Sequence, residues 1–221
     1  MITLVLESST YNGSTAILDG NVVLATRSVA MRGREHEALM PAVAELFAEA
    51  GLGPETVARV VCGSGPGSFT SLRIAGSIAK GIALASGATL VPVSSLALLV
   101  ASREPQKAGR FLAAVDAMRG EQYVQLFEAG DDGSAVPIEP LQLVQSDDVD
   151  RIAEERGAIA LGPARRGAEL VVPAASAAAR LTKLIDAIAL ADLAAWEPAY
   201  GRLAEAQVKW EAAHGRPLQT Q

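Results

Sequence analysis

The sequence is poor in cysteine, histidine and aromatic residues, and each shortage narrows what the protein can be. Cys62 is the one cysteine, so no disulfide can form within the chain, and its apolar surroundings predict a buried structural residue. The two histidines, His36 and His214, are far apart. A zinc or iron centre needs several converging ligands, so the sequence predicts no metal site. Aromatic residues make up 4% of the chain, and we therefore expect small aliphatic residues and closely packed helices to form the core.

Positive charge is also scarce. The formal net charge is −6 and the sequence pI is about 5.0, whereas binding to a phosphate backbone needs clustered Lys and Arg. We therefore expect the chain not to hold nucleic acid unaided. The single cysteine fits a reducing compartment, and the first residues lack the basic region of a signal peptide. Together these features predict a cytoplasmic protein.

One uncharged stretch, Gly81–Ser102, is long enough to span a bilayer. A glycine, a proline and two serines interrupt it, and its pattern changes midway. It predicts the end of one helix, a buried strand over Ala88–Val93, and a new helix capped by Ser94 or Ser95. We therefore expect no membrane association.

The order of elements in the first half indicates a fold class. Hydrophobic periodicity and turn residues predict three strands, a helix, a strand, a helix and a strand. The predicted ranges are Ile2–Leu6, Ser14–Leu18, Val22–Val29, Glu35–Ala50, Arg59–Cys62, Thr70–Ser86 and Ala88–Val93. This is the order of a ribonuclease-H-like half-domain, the unit repeated in the actin, hexokinase and Hsp70 superfamily. We therefore predict an α/β fold of two such lobes, with mixed sheets flanked by helices.

A boundary between the lobes is predicted at the charged, proline-bearing run 103–107. It gives an N-terminal ribonuclease-H-like lobe over residues 1–103 and a smaller, degenerate C-terminal lobe over 104–221. In the second lobe, an alanine-rich segment predicts a long helix over Ser176–Ala191, which we expect to pack back on the first lobe.

The helix predicted over Thr70–Ser86 is apolar almost all round. Gly76, Ala79 and Ala83 form one stripe of small residues, and Ile74, Ile78 and Ile82 form another. A helix of this kind is buried on more than one side. Either it is fully internal, or a partner covers the side turned away from its own sheet.

A glycine-rich turn opens this helix and is the most specific stretch of the chain. Such a turn is either a tight, capped helix start or an anion or partner site, and it lacks the Lys of a Walker loop. It consists of Gly65, Pro66, Gly67, Ser68, Phe69, Thr70, Ser71, Leu72 and Arg73.

These nine residues closely resemble the GPGSFTGLR signature of the TsaB (YeaZ) family, which shares ancestry with proteins once labelled M22 glycoproteases. Further motifs of that family are matched in order along the chain, at 4–10, 34–36, 116–123 and 197–202. The chain departs from the family pattern at three positions. Glu7 stands for an Asp, Ser71 for a Gly and Gly201 for a Leu.

The resemblance implies an actin-like (ASKHA) fold and a function. Members of this family are non-catalytic partners of TsaD, which transfers threonylcarbamoyl to adenosine 37 of tRNA. The resemblance thus implies a heterodimer with TsaD, TsaE in the larger complex, a possible homodimer of the isolated chain, and contact with tRNA only through the complex. It implies no catalytic residue, metal or cofactor in this chain.

Combined with the apolar helices, the resemblance predicts a partner-binding surface. We expect it to comprise Arg34, Glu35, His36, Leu39, Met40, Val43, Phe47, Leu72, Gly76, Ala79 and Ala83, next to the signature loop.

An alternative is an ATP-dependent kinase of the same superfold. The loop Ser8–Ser14 would then hold phosphates, although it contains no Lys or Arg. A metallopeptidase is a third class, and it fails because the chain lacks the histidine ligands.

Overall fold

The structure is a computed structural model, and it describes residues 1–31, 37–163, 169–201 and 214–215. Within these ranges the strands are β1 (Ile2–Glu7), β2 (Asn12–Asp19), β3 (Val22–Ala30), β4 (Arg59–Gly63), β5 (Thr89–Val93), β6 (Gly109–Asp116), β7 (Glu121–Ala129), β8 (Ala135–Pro137), β9 (Gln142–Gln145), β10 (Ile159–Gly162) and β11 (Glu169–Leu170). The α-helices are α1 (Leu39–Ala50), α2 (Phe69–Ser86), α3 (Ser95–Ala101), α4 (Val149–Glu155) and α5 (Thr182–Ala187). Short 3₁₀ helices cover Pro54–Thr56, Ser146–Asp148 and Ala175–Arg180.

Two mixed sheets organise these elements. The first has the order β3-β2-β1-β4-β5, with β1, β2 and β3 antiparallel and β1, β4 and β5 parallel. The second has the order β11-β10-β6-β7-β8, with β9 also paired to β7. Both place an antiparallel hairpin beside parallel strands, as the predicted two-lobe α/β fold requires. The boundary at residue 103 stays a prediction.

The molecule is layered because most strands of the first sheet are apolar on both faces. Along β1, Leu4 and Leu6 pack towards α1 and α2, whereas Val5 faces the second sheet. Helix α3 lies between the sheets, and all seven of its residues are buried. Helix α4 covers the outer face of the second sheet. The uncharged stretch is therefore helix end, strand and helix, as predicted, and within the described ranges no helix is long and apolar enough to cross a membrane.

Helix α1 begins later than predicted. Glu37 precedes it, and its carboxylate accepts hydrogen bonds from the amides of Leu39 and Met40. Pro41 occupies the first turn, where its missing N–H costs nothing, and Gly51 ends the helix in the left-handed conformation with φ 64°. The predicted start at Glu35 lies outside the described residues.

The long helix predicted over Ser176–Ala191 is wrong. The chain forms the 3₁₀ helix Ala175–Arg180 and the short helix α5 instead. Ala175, Ala177 and Ala178 are buried against the first sheet, and the amide of Ala175 donates to Ser14 Oγ at 2.9 Å. Packing in this narrow space prevails over the helical propensity of alanine.

Candidate partner-binding surface

The signature loop connects β4 to α2, and it is hydrogen-bonded to the loop that follows β1. The Ser68 amide donates to the carbonyl of Ser9 at 2.7 Å, and Ser8 Oγ donates to the carbonyl of Ser71, also at 2.7 Å. A Cβ on Gly67 would lie 2.1 Å from the Ser9 oxygen, so the two loops approach too closely for any side chain there. Ser71 Oγ lies 3.0 Å from Ser68 Oγ. Serine at 71 thus occupies an ordinary helical position and links the loop to α2.

These contacts weigh against the kinase alternative. Ser8 and Ser9 of the supposed phosphate loop are buried. The Ser8 hydroxyl and the Ser68 amide are both directed at other parts of this chain, so neither is presented to a ligand.

Glu7 is turned into the core beneath the same loop. It is fully buried, and its carboxylate accepts from the Ser9 amide at 2.6 Å and from Ser95 Oγ at 2.8 Å. The Ser95 hydroxyl in turn accepts from the Gly65 amide at 3.1 Å. A Cβ on Gly63 would lie 1.9 Å from Glu7 Oε2, so only glycine leaves room for this longer acid. Burial raises the pKa of Glu7, although its hydrogen bonds oppose that shift.

Cys62 is buried, as predicted, and burial raises the pKa of its thiol. Among the described residues, no three His, Cys, Asp or Glu side chains are grouped so that they could hold a metal ion.

Most of the predicted partner-binding residues lie in the core. Leu39, Val43 and Phe47 of α1, and Leu72, Gly76, Ala79 and Ala83 of α2, are buried in the isolated chain. Ala79 and Ala83 are 0% and 1% exposed because they face the sheet. The prediction that Ala79 and Ala83 offer apolar surface to a partner is therefore wrong, because their side of α2 is buried and the opposite side is exposed. Of the set, Met40 is exposed, at 45%, whereas Arg34, Glu35 and His36 lie outside the described residues.

Gly76 has a different neighbour from the one expected. A Cβ there would lie 3.3 Å from Pro198 Cγ and 3.5 Å from the Trp196 ring. The close approach that this small residue allows is therefore used by the C-terminal part of the same chain.

The exposed side of α2 carries a second stripe of small residues. Ser77, Gly81 and Ala85 are exposed and four residues apart, which places them on one face of the helix. We call these three residues the α2 ridge. Sequence reasoning missed it, although the signal was present as a glycine in the interior of a long helix.

A groove runs beside the ridge. It is open, has a volume of about 490 Å³, and is lined by Glu37, Phe69, Thr70, Arg73, Ile74, Ser77 and Ile78. Ile74 and Ile78 are half-buried, and Arg73 lies over the Phe69 ring at 5.0 Å from its centroid. On α1, Glu45 and Glu49 are paired with Arg27 of β3, so Met40 and Ala44 lie on the side of α1 away from that strand. Together these features form an apolar surface with charges at its margin.

Known proteins with similar sequences and structures assign the chain to a family. A family model described as "TsaD: tRNA N6-adenosine threonylcarbamoyltransferase" matches residues 30–156, more than half of the chain. A Haemophilus influenzae protein named "tRNA threonylcarbamoyladenosine biosynthesis protein TsaB" is 34% identical over 121 residues, 54% of this chain and 51% of that protein. Its Escherichia coli namesake is 32% identical over 133 residues, 59% and 56% of the two chains. The chain belongs to the TsaB (YeaZ) family.

The structure of "YeaZ from Pseudomonas aeruginosa" agrees with this assignment. It is 25% identical, has a TM-score of 0.74, and is matched over 90% of this chain and 100% of its own length. The TsaB family assignment and the actin-like two-lobe α/β fold, predicted from the order of elements and from the family motifs, are thus confirmed. In sequence, the matched region spans about half the length of the curated TsaB relatives.

Proposed function

We propose that this chain is a non-catalytic subunit in the synthesis of threonylcarbamoyladenosine in tRNA, and that it binds TsaD through the exposed sides of α1 and α2. The names of its relatives and of the matching family model support the pathway. The inward-turned loops and the buried Glu7 support a binding role over a catalytic one. With a net charge of −6, the chain is expected to meet tRNA only within a complex. TsaE in that complex, a homodimer of the isolated chain, and a cytoplasmic location belong to the same proposal.

Gly81 is the observation that carries the docking surface. It lies in the middle of an 18-residue helix and is exposed. Apart from its chain neighbours and the adjacent backbone of α2 itself, no described atom lies within 4 Å of the position that its Cβ would take. Glycine in a helix interior costs about 0.5–1 kcal/mol relative to alanine, and no packing contact in this part of the chain requires it. A partner helix approaching the ridge would require it, because the distance between packed helices depends on the side chains at their contact.

The surface around Gly81 suits a helical partner. Ile74, Ile78 and Met40 supply apolar area on the α1 side of the ridge, and Arg73 supplies positive charge at the edge. Two helices of this chain and two of TsaD would make a four-helix contact. An amphipathic helix with small residues opposite Gly81 and an acidic residue opposite Arg73 would be complementary to it.

The test is Gly81→Glu, with Gly81→Ala as the matched control at the same position. Binding to the cognate TsaD is measured by calorimetry, and folding by circular dichroism. We expect Gly81→Glu to abolish binding while leaving the fold intact, because an unpaired charge at the centre of an interface costs on the order of 2–5 kcal/mol. Gly81→Ala adds one methyl group and should weaken binding far less. Unchanged binding by Gly81→Glu would move the docking surface away from α2.

A further inference from the structure

The C-terminal strap, defined as Ala191–Gly201, crosses the molecule and connects elements distant in sequence. Its first residue donates from its amide to the Leu90 carbonyl of β5 at 2.9 Å. Near its other end, the Ala199 amide donates to the carbonyl of Ser64, just ahead of the signature loop, at 2.7 Å. Two backbone hydrogen bonds therefore hold the strap along the first sheet.

Between these two hydrogen bonds the strap packs on α2, and we call this contact area on α2 the seat. Pro198 is buried, and it packs with Trp196 over Gly76. Lys80 Nζ lies 5.9 Å from the centroid of the Trp196 ring, within the range of a cation–π contact. Tyr200 packs against Phe69, with the ring centroids 4.6 Å apart and the ring planes tilted by 50°. The seat thus follows the flank of α2 opposite α1, from the first turn of the helix to its middle.

The end of the strap is fixed to the second sheet. Gly201 has φ 75°, and a Cβ there would lie only 2.5–2.7 Å from atoms of the Tyr123 ring on β7. Both features require glycine, which accounts for the departure from the leucine of the family pattern. The strap therefore contacts both α2 and the second sheet. A glycine allows the close approach in each case, Gly76 on α2 and Gly201 beside Tyr123.

We propose that the strap is a positioning element for the α2 ridge. Helix α2 is held by α1 on one flank and by the strap on the other, and the ridge is the exposed strip between them. A helix held on both flanks presents its exposed side in one orientation, which lowers the cost of ordering on binding. Strap seating and partner binding are then coupled, so each strengthens the other. This inference rests on the proposed function, because it assumes that TsaD binds the ridge.

The experiment disrupts the packing of the strap on α2 and leaves the three residues of the α2 ridge unchanged. Gly76→Leu places a side chain where Pro198 and Trp196 lie, and Trp196→Ala removes the ring while leaving α2 unchanged. Trp210, the second tryptophan of the sequence, is replaced by Phe so that Trp196 is the sole fluorescent reporter. In Gly76→Leu we expect the emission to shift to longer wavelength. In both variants we expect the affinity for TsaD to fall at least tenfold, with the circular dichroism spectrum retained.

Gly81→Glu serves as the control that separates the two proposals. It should abolish TsaD binding and leave the Trp196 emission unchanged. Wild-type affinity in either seat variant, while Gly81→Glu still abolishes binding, overturns the coupling and leaves the docking surface standing. Full binding by Gly81→Glu overturns the docking surface itself.

Hydrogen exchange tests the coupling directly, because a strap with a purely structural role would not gain extra protection when TsaD binds. Saturating TsaD should slow exchange of the Ala199 and Ala191 amides by a larger factor than that of the β10 amides, which are separated by β6 from the strand that the strap contacts. Equal protection of all these amides contradicts the coupling.

Discussion

The replacement Gly81→Ala should stabilise the isolated chain, which is unusual for a change in a long helix. The added methyl group enters open space, since no described atom lies within 4 Å of it apart from its chain neighbours and the adjacent backbone of α2 itself. It therefore gains and loses no contact, and only the backbone preference changes. Alanine is favoured over glycine in a helix interior by about 0.5–1 kcal/mol. For a chain of this length that corresponds to a rise in the melting temperature of roughly 1–4 °C.

Differential scanning calorimetry and urea unfolding measure this effect, and the urea m-value should stay constant because the exposed area barely changes. Gly76→Ala is the matched control in the same helix. Its methyl group would lie 3.3 Å from Pro198 Cγ, so crowding offsets the helical gain and the melting temperature should rise less or fall. A lower melting temperature for Gly81→Ala would refute the reasoning, because position 81 would then be packed and its glycine would have an explanation within the chain.

Three further changes test other parts of the structure. Ala79→Glu should unfold the chain or lower its melting temperature by many degrees, because this residue is 0% exposed and a buried unpaired charge is costly; a folded variant that merely fails to bind TsaD would return Ala79 to the interface. Gly67→Ala should destabilise by more than 1 kcal/mol or so, because its Cβ would lie 2.1 Å from the Ser9 carbonyl; wild-type urea unfolding would show that the loop can shift freely. Glu7→Gln tests pH dependence: burial raises the pKa of Glu7 above its ordinary value of 4.5, so its contribution to stability is complete below about pH 4.5 and is lost as the pH rises through the folded-state pKa. The free energy of unfolding of the glutamine variant relative to wild type should therefore increase with pH above 4.5, and a decrease would contradict the sign of this shift.

The sequence predicts much of the first sheet and of α2, because alternating apolar residues and clear turn residues mark each element. It also predicts the family, because the loop Gly65–Arg73 and four further motifs match the family pattern in order along the chain. The partner-facing side of α2 is different. At 100° per residue, the centres of the stripes Gly76–Ala79–Ala83 and Ser77–Gly81–Ala85 lie about 170° apart, on nearly opposite sides of α2, and periodicity alone does not decide which of them faces the sheet.

The sequence does not predict the C-terminal strap, and the reason is different. Trp196 and Pro198 are more than 100 residues from Gly76 in sequence, and Ala191–Gly201 has neither helical nor strand periodicity. Only the tertiary structure shows that a glycine in α2 and a proline near the C-terminus contact each other. The failed helix over Ser176–Ala191 has the same origin, because burial between two sheets overrode a strong local preference.

The position of α3 has a consequence for how the chain acquires its structure during synthesis. Its buried residues share one hydrophobic cluster with Val5 of β1 and with Phe111 and Phe127 of β6 and β7. A nascent chain that has emerged only as far as residue 103 therefore carries α3 and the inner face of the first sheet without their cover. Apolar surface exposed in this way promotes aggregation, so the ribosome-bound intermediate is the state most in need of protection. The vulnerable period closes when β6 and β7 have left the ribosome, and the two sheets then complete their common core together.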